Sequence, residues 1–234
     1  MNILITGASR GIGAATFELL KARGHEVAGH SSKGGDGLIA ADLTEPDAPP
    51  RLWEAVLERL GGRIDALINN AGVFEGVAVD ASDDDWHASW SRTLTVNLQA
   101  PADLSRLAVN HFRERGGGGR IVNVASRAGF RGDSPEHWHY AASKAGIVAM
   151  TKTMARAYAA EGICVFAVAP GFTVTGMVED YVASRGGAGF LSDIPLGRPA
   201  STDEVAETIR WLATEAPASA TGTTIDVTGA SYVR

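Results

Sequence analysis

The chain has 234 residues, of which 45% are hydrophobic and 21% are charged, and its formal net charge at pH 7 is −6. These values are typical of a globular protein with a sizeable core, and the acidic balance without a basic cluster argues against nucleic acid as a partner. No apolar run reaches the roughly 18 residues of a membrane span, so no membrane partner is expected. Residues 3–5 already resemble a strand, which argues against a secretory signal peptide.

Cysteine and histidine content gives a second set of exclusions. Cys164 is the only cysteine and lies in an apolar run, so we expect it in the core without a disulfide partner. Neither Cys164 nor the histidines have a metal-ligand spacing. The sequence therefore predicts a cytoplasmic protein with no metal site.

Short apolar runs alternate with helical patterns along the chain. Because the runs are apolar throughout, they predict strands buried on both faces of a parallel sheet. The predicted strands are 2–6, 25–29, 38–42, 65–69, 120–126, 163–169 and 224–228, and the predicted helices are 12–23, 50–60, 83–114, 139–160 and 202–214. Ser201 and Glu204 form a capping-box pattern at the start of the last helix. The alternation predicts an α/β fold, a single domain over residues 1–234 with a Rossmann-type doubly wound sheet of about seven strands and helices on both faces.

The connection between the second and third predicted strands is unusually short. Only eight residues, 30–37, lie between these two strands. A parallel crossover normally needs a dozen residues or more. We therefore expect the helix at this crossover to be absent or reduced to a turn.

A glycine-rich segment, TGASRGIG (6–13), follows the first predicted strand and opens the first predicted helix. The spacing of Gly7, Gly11 and Gly13 differs from G-x-G-x-x-G, so the pattern alone is weak. The context is stronger, because a loop at a helix N-terminus directs backbone N–H groups towards an anion such as a pyrophosphate. The alternative is a turn whose glycines only permit close packing.

Other segments with polar or glycine residues lie at or beyond the ends of later strands. They are NNAG (69–72) after the fourth strand, Ser126 at the end of the fifth, YAASK (140–144) on a helix, and PGFTVT (170–175) after the sixth. In an open α/β sheet, ligands bind at the carboxyl ends of the strands. We therefore expect these segments to form one site with the glycine loop.

Together, TGASRGIG, NNAG, Asn97, Ser126, YAASK and PGFTVT resemble the classical short-chain dehydrogenase/reductase family in order and spacing. The similarity covers nearly the whole chain, as far as residues 194–213 and 221–229. The resemblance implies an oxidoreductase that moves a hydride between a nicotinamide coenzyme and a carbonyl or secondary alcohol, nearest to 3-oxoacyl-carrier-protein reductases. It also implies a homotetramer, with a dimer as the alternative.

The resemblance implies that the catalytic residues are Asn97, Ser126, Tyr140 and Lys144. Tyr140 and Lys144 share one helix face, and the ammonium and a cationic nicotinamide favour the phenolate, which lowers the tyrosine pKa from about 10. Tyr140 then serves as general acid in reduction and as base in oxidation. In the family, the serine orients the substrate and stabilises the developing oxyanion, the lysine also binds the nicotinamide ribose, and the asparagine holds a water that links the lysine to solvent. The alternatives are a core tyrosine, a serine cap and an asparagine tolerated in a helix.

The resemblance also implies a set of coenzyme contacts. They are Gly7, Ser9, Arg10, Gly11, Ile12, Gly13, Ser31, Asp42, Leu43, Asn70, Ala71, Gly72, Tyr140, Lys144, Pro170, Gly171, Thr173 and Thr175. Ser31 stands where NAD-preferring relatives carry an acidic residue, and Arg10 stands where NADP-using relatives place a basic one. A guanidinium suits a phosphate, so we expect NADP(H), with further donors from His30, Ser32 and Lys33. NAD(H) is the alternative if Asp36 turns towards the ribose.

The substrate region gives less information. Residues 131–139 contain His137, Trp138 and His139, which either line the substrate pocket or pack the loop, and residues 176–191 correspond to the family's lid. Small and apolar residues there favour an organic alcohol or ketone. Two rival functions remain: a non-catalytic nucleotide-binding regulator, expected to lack Tyr140 or Lys144, and a dehalogenase-like lyase, expected to lack the glycine loop.

Overall fold

Residues 1–174 and 193–234 are described by the structure, a computed structural model of the chain. Its centre is a seven-stranded sheet in the order β3-β2-β1-β4-β5-β6-β7, with every neighbouring pair parallel. The strands are β1 (Asn2–Ile5), β2 (Glu26–Ser31), β3 (Ile39–Ala40), β4 (Ala66–Asn69), β5 (Gly119–Val124), β6 (Ile163–Pro170) and β7 (Thr224–Val227). The predicted parallel α/β sheet is confirmed.

Helices cover both faces of the sheet. The described helices are α1 (Gly11–Ala22), α2 (Ala48–Arg59), α3 (Asp83–Leu94), α4 (Ala100–Glu114), α5 (Ala128–Arg131), α6 (Trp138–Tyr158) and α7 (Thr202–Thr214). One core layer joins the sheet to α1 and α7, through side chains such as Leu20 and Ile209. The other joins it to α2 and α4, through side chains such as Leu52 and Phe112. Cys164 is buried in the first layer, as predicted.

The short β2–β3 connection contains a turn and no helix, as the sequence predicts. Gly34, Gly35, Asp36 and Gly37 all have positive φ, at 70°, 89°, 51° and 78°. The Leu38 N–H closes the turn by donating to the Gly35 carbonyl at 2.8 Å. Glycine adopts this backbone region without penalty, which explains how so few residues reverse the chain twice.

The structure is helical over the whole of the predicted helix 83–114, but the middle of this stretch is π-helical and not α-helical. Thr95–Gln99 form a π-helical segment between α3 and α4, and Asn97 lies inside it. Pro101 has no N–H, so the α-helical hydrogen bond to the Asn97 carbonyl cannot form. Single π-helical turns are common at functional sites, and this one occurs at a predicted site residue.

The capping box at the start of α7 is formed as predicted. The Ser201 hydroxyl accepts the Glu204 N–H at 3.2 Å, and the Glu204 carboxylate accepts the Ser201 N–H at 2.8 Å. Arg198 donates two hydrogen bonds to the same carboxylate, and mainly for this reason the pKa of Glu204 is lowered to about 2. The Glu204 carboxylate of the capping box therefore stays ionised throughout the neutral pH range.

Replacing Ser201 with alanine removes the cap, and we expect the free energy of unfolding to fall by about 1 kcal/mol. Chemical denaturation followed by circular dichroism measures this change. Thr202→Ala is the matched control, since its hydroxyl makes no hydrogen bond with the described residues. An equal loss in both variants would contradict the role of the cap.

Among the described residues, no helix is both long and apolar enough to cross a membrane. No group of three or more His, Cys, Asp or Glu side chains in these ranges is placed to hold a metal ion.

Candidate active site

The glycine loop between β1 and α1 packs directly against the segment after β4. A Cβ on Gly13 would lie 2.0 Å from the Gly7 carbonyl oxygen and 2.5 Å from Nδ2 of Asn70. A Cβ on Gly7, where φ is +69°, would lie 2.8 Å from Cα of Ala71. Any side chain at these two positions would force the backbone apart. The result is a cradle lined by main chain at the N-terminus of α1, and this suits a bound phosphate group.

Thr6, which the sequence analysis did not select, fastens these two segments together. Its Oγ1 accepts the N–H groups of Asn70 and Ala71, each at 3.0 Å. The Asn70 side chain donates in return to the carbonyls of Thr6 at 2.9 Å and Gly7 at 3.1 Å. Thr6 could have been found from the sequence, because it is a polar residue at the end of an apolar strand and directly precedes the loop.

Six further predicted coenzyme contacts belong to the glycine loop, the start of α1 and the segment after β3. Ser9, Arg10 and Asp42 are exposed, Gly11 and Ile12 are half-buried, and Leu43 is buried. Arg10 precedes α1 with extended backbone. The Asp42 carboxylate accepts the Thr44 N–H and hydroxyl at 3.0 and 2.8 Å, which holds it at the end of β3.

The end of β2 differs from the expectation. The Ser31 hydroxyl is buried and donates to the Gly34 carbonyl at 3.1 Å. His30 was expected to add a donor for the coenzyme, but both of its ring nitrogens bind main-chain groups, of Gly7 at 3.2 Å and Ala41 at 2.8 Å. The prediction for His30 is therefore wrong. Both side chains are buried at the end of β2.

The proposed catalytic side chains lie together at the carboxyl end of β5. Lys144 is buried, and its Nζ donates to the Val124 carbonyl at 2.9 Å and lies 5.7 Å from the centre of the Tyr140 ring. Ser126 lies two residues beyond β5, close enough to the Tyr140 side chain to act on the pKa of its phenol. Because Tyr140 and Lys144 are one turn apart on α6, a single helix face carries both.

Burial controls the ionisation of this pair. It raises the pKa of Tyr140 to about 12, while the hydrogen bond from Ser126 acts in the opposite direction. It lowers the pKa of Lys144 to about 8. In the protein without coenzyme, removing the phenolate from water costs more free energy than its neighbours restore. The expected lowering of the tyrosine pKa by the ammonium together with a cationic nicotinamide stays a prediction for the coenzyme-bound protein.

Asn97 connects the substrate side of the site to α6. Its side chain accepts the Val73 N–H at 2.8 Å and donates to the Val73 carbonyl at 2.9 Å. Its amide also lies 3.4 Å from the Ser143 hydroxyl, which donates to the Tyr140 carbonyl at 2.7 Å. Asn97 therefore holds the loop after β4 against the start of α6.

The remaining predicted contacts lie on either side of this group. A Cβ on Gly72 would lie 3.3 Å from Oδ1 of Asn97 and 3.6 Å from Nζ of Lys144. Pro170 ends β6, Gly171 donates its N–H to the Val227 carbonyl at 2.9 Å, and Thr173 is buried beside Ala200. Thr175 and residues 176–191 lie outside the described residues.

Phe74 is a second residue that the sequence analysis did not select. Its ring meets the Tyr140 ring edge-on at 4.7 Å and stacks on His137 at 3.9 Å between centres. His137 thus adjoins the site through Phe74. His139 is fully buried, with Nε2 2.9 Å from the Ser89 hydroxyl, and Trp138 is 51% exposed. The sequence feature that could have indicated Phe74 is an aromatic residue two positions after NNAG.

Comparison with known sequences identifies close relatives of the whole chain. The sequence model of the short chain dehydrogenase family matches residues 1–186. The 3-oxoacyl-(acyl-carrier-protein) reductase of Synechocystis is 37% identical over 245 residues, which cover 97% of this chain and 94% of that protein. The reductase of the same name from Thermotoga maritima is 37% identical over 242 residues, 97% of this chain and 95% of that protein.

Solved structures share the fold over the same extent. A short chain dehydrogenase from Burkholderia cenocepacia in complex with NADP has a TM-score of 0.87 and 31% identity, covering 98% of this chain and 97% of that chain. The 3-ketoacyl-(acyl-carrier-protein) reductase from Brucella melitensis, complexed with NADH, has a TM-score of 0.85 and 27% identity, covering 99% and 98%.

Proposed function

Because the chain belongs to the short-chain dehydrogenase family, whose members act on CH–OH or C=O groups with NAD(P), we propose that it interconverts a ketone and a secondary alcohol with NADP(H). The observation that carries this proposal is the proximity of Ser126, Tyr140 and Lys144 beyond β5, next to Gly72 in the segment that packs against the glycine loop. The names of the relatives support a 3-oxoacyl compound as the ketone.

The cradle residues and Lys144 would hold the coenzyme, which supplies or accepts the hydride when bound. Tyr140, with its pKa raised to about 12, keeps its proton at neutral pH and can donate it to the substrate oxygen. Ser126 can donate a second hydrogen bond to that oxygen and stabilise its negative charge.

Asn97 and Lys144 support the proton transfer in this proposal. The Asn97 carbonyl lacks its α-helical donor because of Pro101, so it is suited to hold the water that links Lys144 to solvent. We also propose that residues 1–234 act as one catalytic domain, in a cytoplasmic homotetramer or, alternatively, a dimer. These last points rest on the family resemblance.

The test of the function begins with coenzyme binding. Purified protein is titrated with NADPH and with NADH, and nicotinamide fluorescence reports the two dissociation constants. NADPH oxidation is then followed with a 3-oxoacyl thioester and with simple ketones. Tighter binding of NADPH with turnover of a ketone supports the proposal. Tighter binding of NADH would point to Asp36, and binding of neither coenzyme would overturn the proposal.

Replacing Arg10 with alanine tests the phosphate contact that favours NADP(H). We expect the dissociation constant for NADPH to rise about 30-fold, equivalent to about 2 kcal/mol, because a charge-assisted hydrogen bond is lost. The constant for NADH should change little, since NADH has no 2′-phosphate. Fluorescence titration of both coenzymes measures the two changes.

Arg23→Ala is the matched control, because it removes an equal charge from the opposite end of α1, where Arg23 pairs with Glu207 at 3.1 Å. It should leave both dissociation constants unchanged. An equal loss of affinity for NADPH and NADH in Arg10→Ala would mean that Arg10 does not bind the phosphate.

A further inference from the structure

His30 lies behind the glycine loop and is held by main-chain groups on both sides. Its side chain is 2% exposed. Its Nδ1 accepts the Gly7 N–H at 3.2 Å, and its Nε2 lies 2.8 Å from the Ala41 carbonyl oxygen. Its own carbonyl accepts the Ala8 N–H at 2.8 Å. The residue therefore joins the first glycine of the loop to the end of β3.

These partners determine the protonation state of the imidazole. A carbonyl can only accept a hydrogen bond, so Nε2 must carry a hydrogen, while a backbone N–H can only donate, so Nδ1 must be unprotonated. The hydrogen bonds are thus satisfied only by the neutral Nε2–H tautomer. A proton on Nδ1 would set two donors against each other at the Gly7 amide.

The Gly7 amide is a sensitive point of the cradle. Gly7 has a φ of +69°, and the carbonyl of the same peptide unit, that of Thr6, accepts the Asn70 side chain at 2.9 Å. The carbonyl of Gly7, in the next peptide unit, accepts the same side chain at 3.1 Å and lies against Gly13, where a Cβ would approach it to 2.0 Å. A rotation of the Thr6–Gly7 peptide would break its hydrogen bond with Asn70 and disturb this close contact.

We propose that neutral His30 is a positioning residue for the coenzyme loop, and that protonation of its Nδ1 weakens coenzyme binding at acid pH. The inference rests on the proposed role of this loop as the coenzyme site. It concerns the geometry of the loop and involves no contact between His30 and the coenzyme.

The electrostatic surroundings favour the neutral form near pH 7. Burial lowers the pKa of His30 below its usual 6.5, and the hydrogen bond to Ala41 and the carboxylate of Asp42 oppose that shift. On the loop side, His30 meets the main chain of Gly7 and Ala8, which carries no titratable group. His30 is therefore neutral at pH 7, and the loss of affinity begins as the pH falls through its lowered pKa.

Isothermal titration calorimetry with NADP⁺, and separately with NAD⁺, between pH 8 and about pH 5.5 tests the proposal, with circular dichroism to verify folding at each pH. Three variants accompany the wild type. His30→Asn retains an acceptor near the Nδ1 position and cannot be protonated. His30→Gln retains a donor near the Nε2 position and loses the acceptor. His25→Asn removes a histidine from the opposite end of β2.

We expect the wild-type dissociation constant to rise by up to about tenfold for each pH unit below the His30 pKa. This rise should persist in His25→Asn and be absent in His30→Asn. At neutral pH, His30→Gln should bind about tenfold more weakly than His30→Asn, because it lacks the acceptor for Gly7. Titration of the NADP⁺ phosphate is common to all four proteins and cancels in the comparison.

Equal pH dependence in the wild type and His30→Asn would overturn the inference, as would wild-type affinity in His30→Gln. Both results leave the proposed function intact, since the coenzyme still binds. Failure of the wild type to bind either coenzyme at neutral pH would instead overturn the proposed function and this inference together.

Discussion

Replacing Tyr140 with phenylalanine is expected to lower the turnover number by about 100-fold or more, because general acid catalysis commonly contributes a factor of that size. The variant loses the phenol proton and the oxygen on which Ser126 acts. The ring remains, so its edge-on contact with Phe74 at 4.7 Å should persist. The dissociation constant for the coenzyme should therefore stay close to the wild-type value.

Steady-state kinetics of ketone reduction, together with a fluorescence titration of the coenzyme, measures both quantities. Tyr158→Phe is the matched control on the same helix, where the ring packs under Arg113 at 4.9 Å, away from the candidate site. It should turn over at the wild-type rate. Turnover near the wild-type value in Tyr140→Phe would assign the proton transfer to another group.

Replacing Gly13 with alanine should disrupt the coenzyme cradle. In most helices this change stabilises by about 1 kcal/mol. Here the added Cβ would lie 2.0 Å from the Gly7 oxygen and 2.8 Å from the Gly7 carbonyl carbon, so the backbone must move. We expect the free energy of unfolding to fall by about 3 kcal/mol. We also expect the coenzyme dissociation constant to rise about 100-fold, equivalent to about 2.7 kcal/mol.

Chemical denaturation and coenzyme titration measure these two effects. Gly146→Ala is the control within a helix, because the three atoms nearest to a Cβ there all belong to the flexible side chain of Leu98, from 3.0 Å. It should change stability much less. Wild-type affinity in Gly13→Ala would show that the close approach of the loop is unnecessary for binding.

Sequence patterns were sufficient to predict features that depend on residues close together in the chain. The capping box of Ser201 and Glu204 lies within one helical turn, and the sequence predicts it fully. The absence of a helix between β2 and β3 follows from the small number of residues available there, which tertiary packing cannot change. The π-helical turn at Asn97 was not predicted, although Pro101 was its visible signal. A proline inside a helix indicates a missing α-helical hydrogen bond, but it does not specify whether the helix ends, kinks or forms a π-helical turn.

Side chains with partners distant in the chain could not be assigned in this way. His30 was expected to serve the coenzyme and instead binds the main chain on both sides, 23 positions back at Gly7 and 11 ahead at Ala41. Phe74 meets Tyr140 only because the loop after β4 folds against α6. The raised pKa of Tyr140 likewise depends on how much water the surrounding elements exclude.

The sequence by itself determined the parallel α/β class, the approximate positions of the strands and the types of side chain in the candidate site. It could do so because continuous apolar runs and short motifs involve residues close together in the chain. Only the tertiary structure decided the strand order, the contact of Gly13 with Gly7, and the direction in which the pKa values of Tyr140, Lys144 and His30 shift. The physical reason is that close packing and desolvation depend on which distant segments come together. Neither property is encoded in any single stretch of the chain.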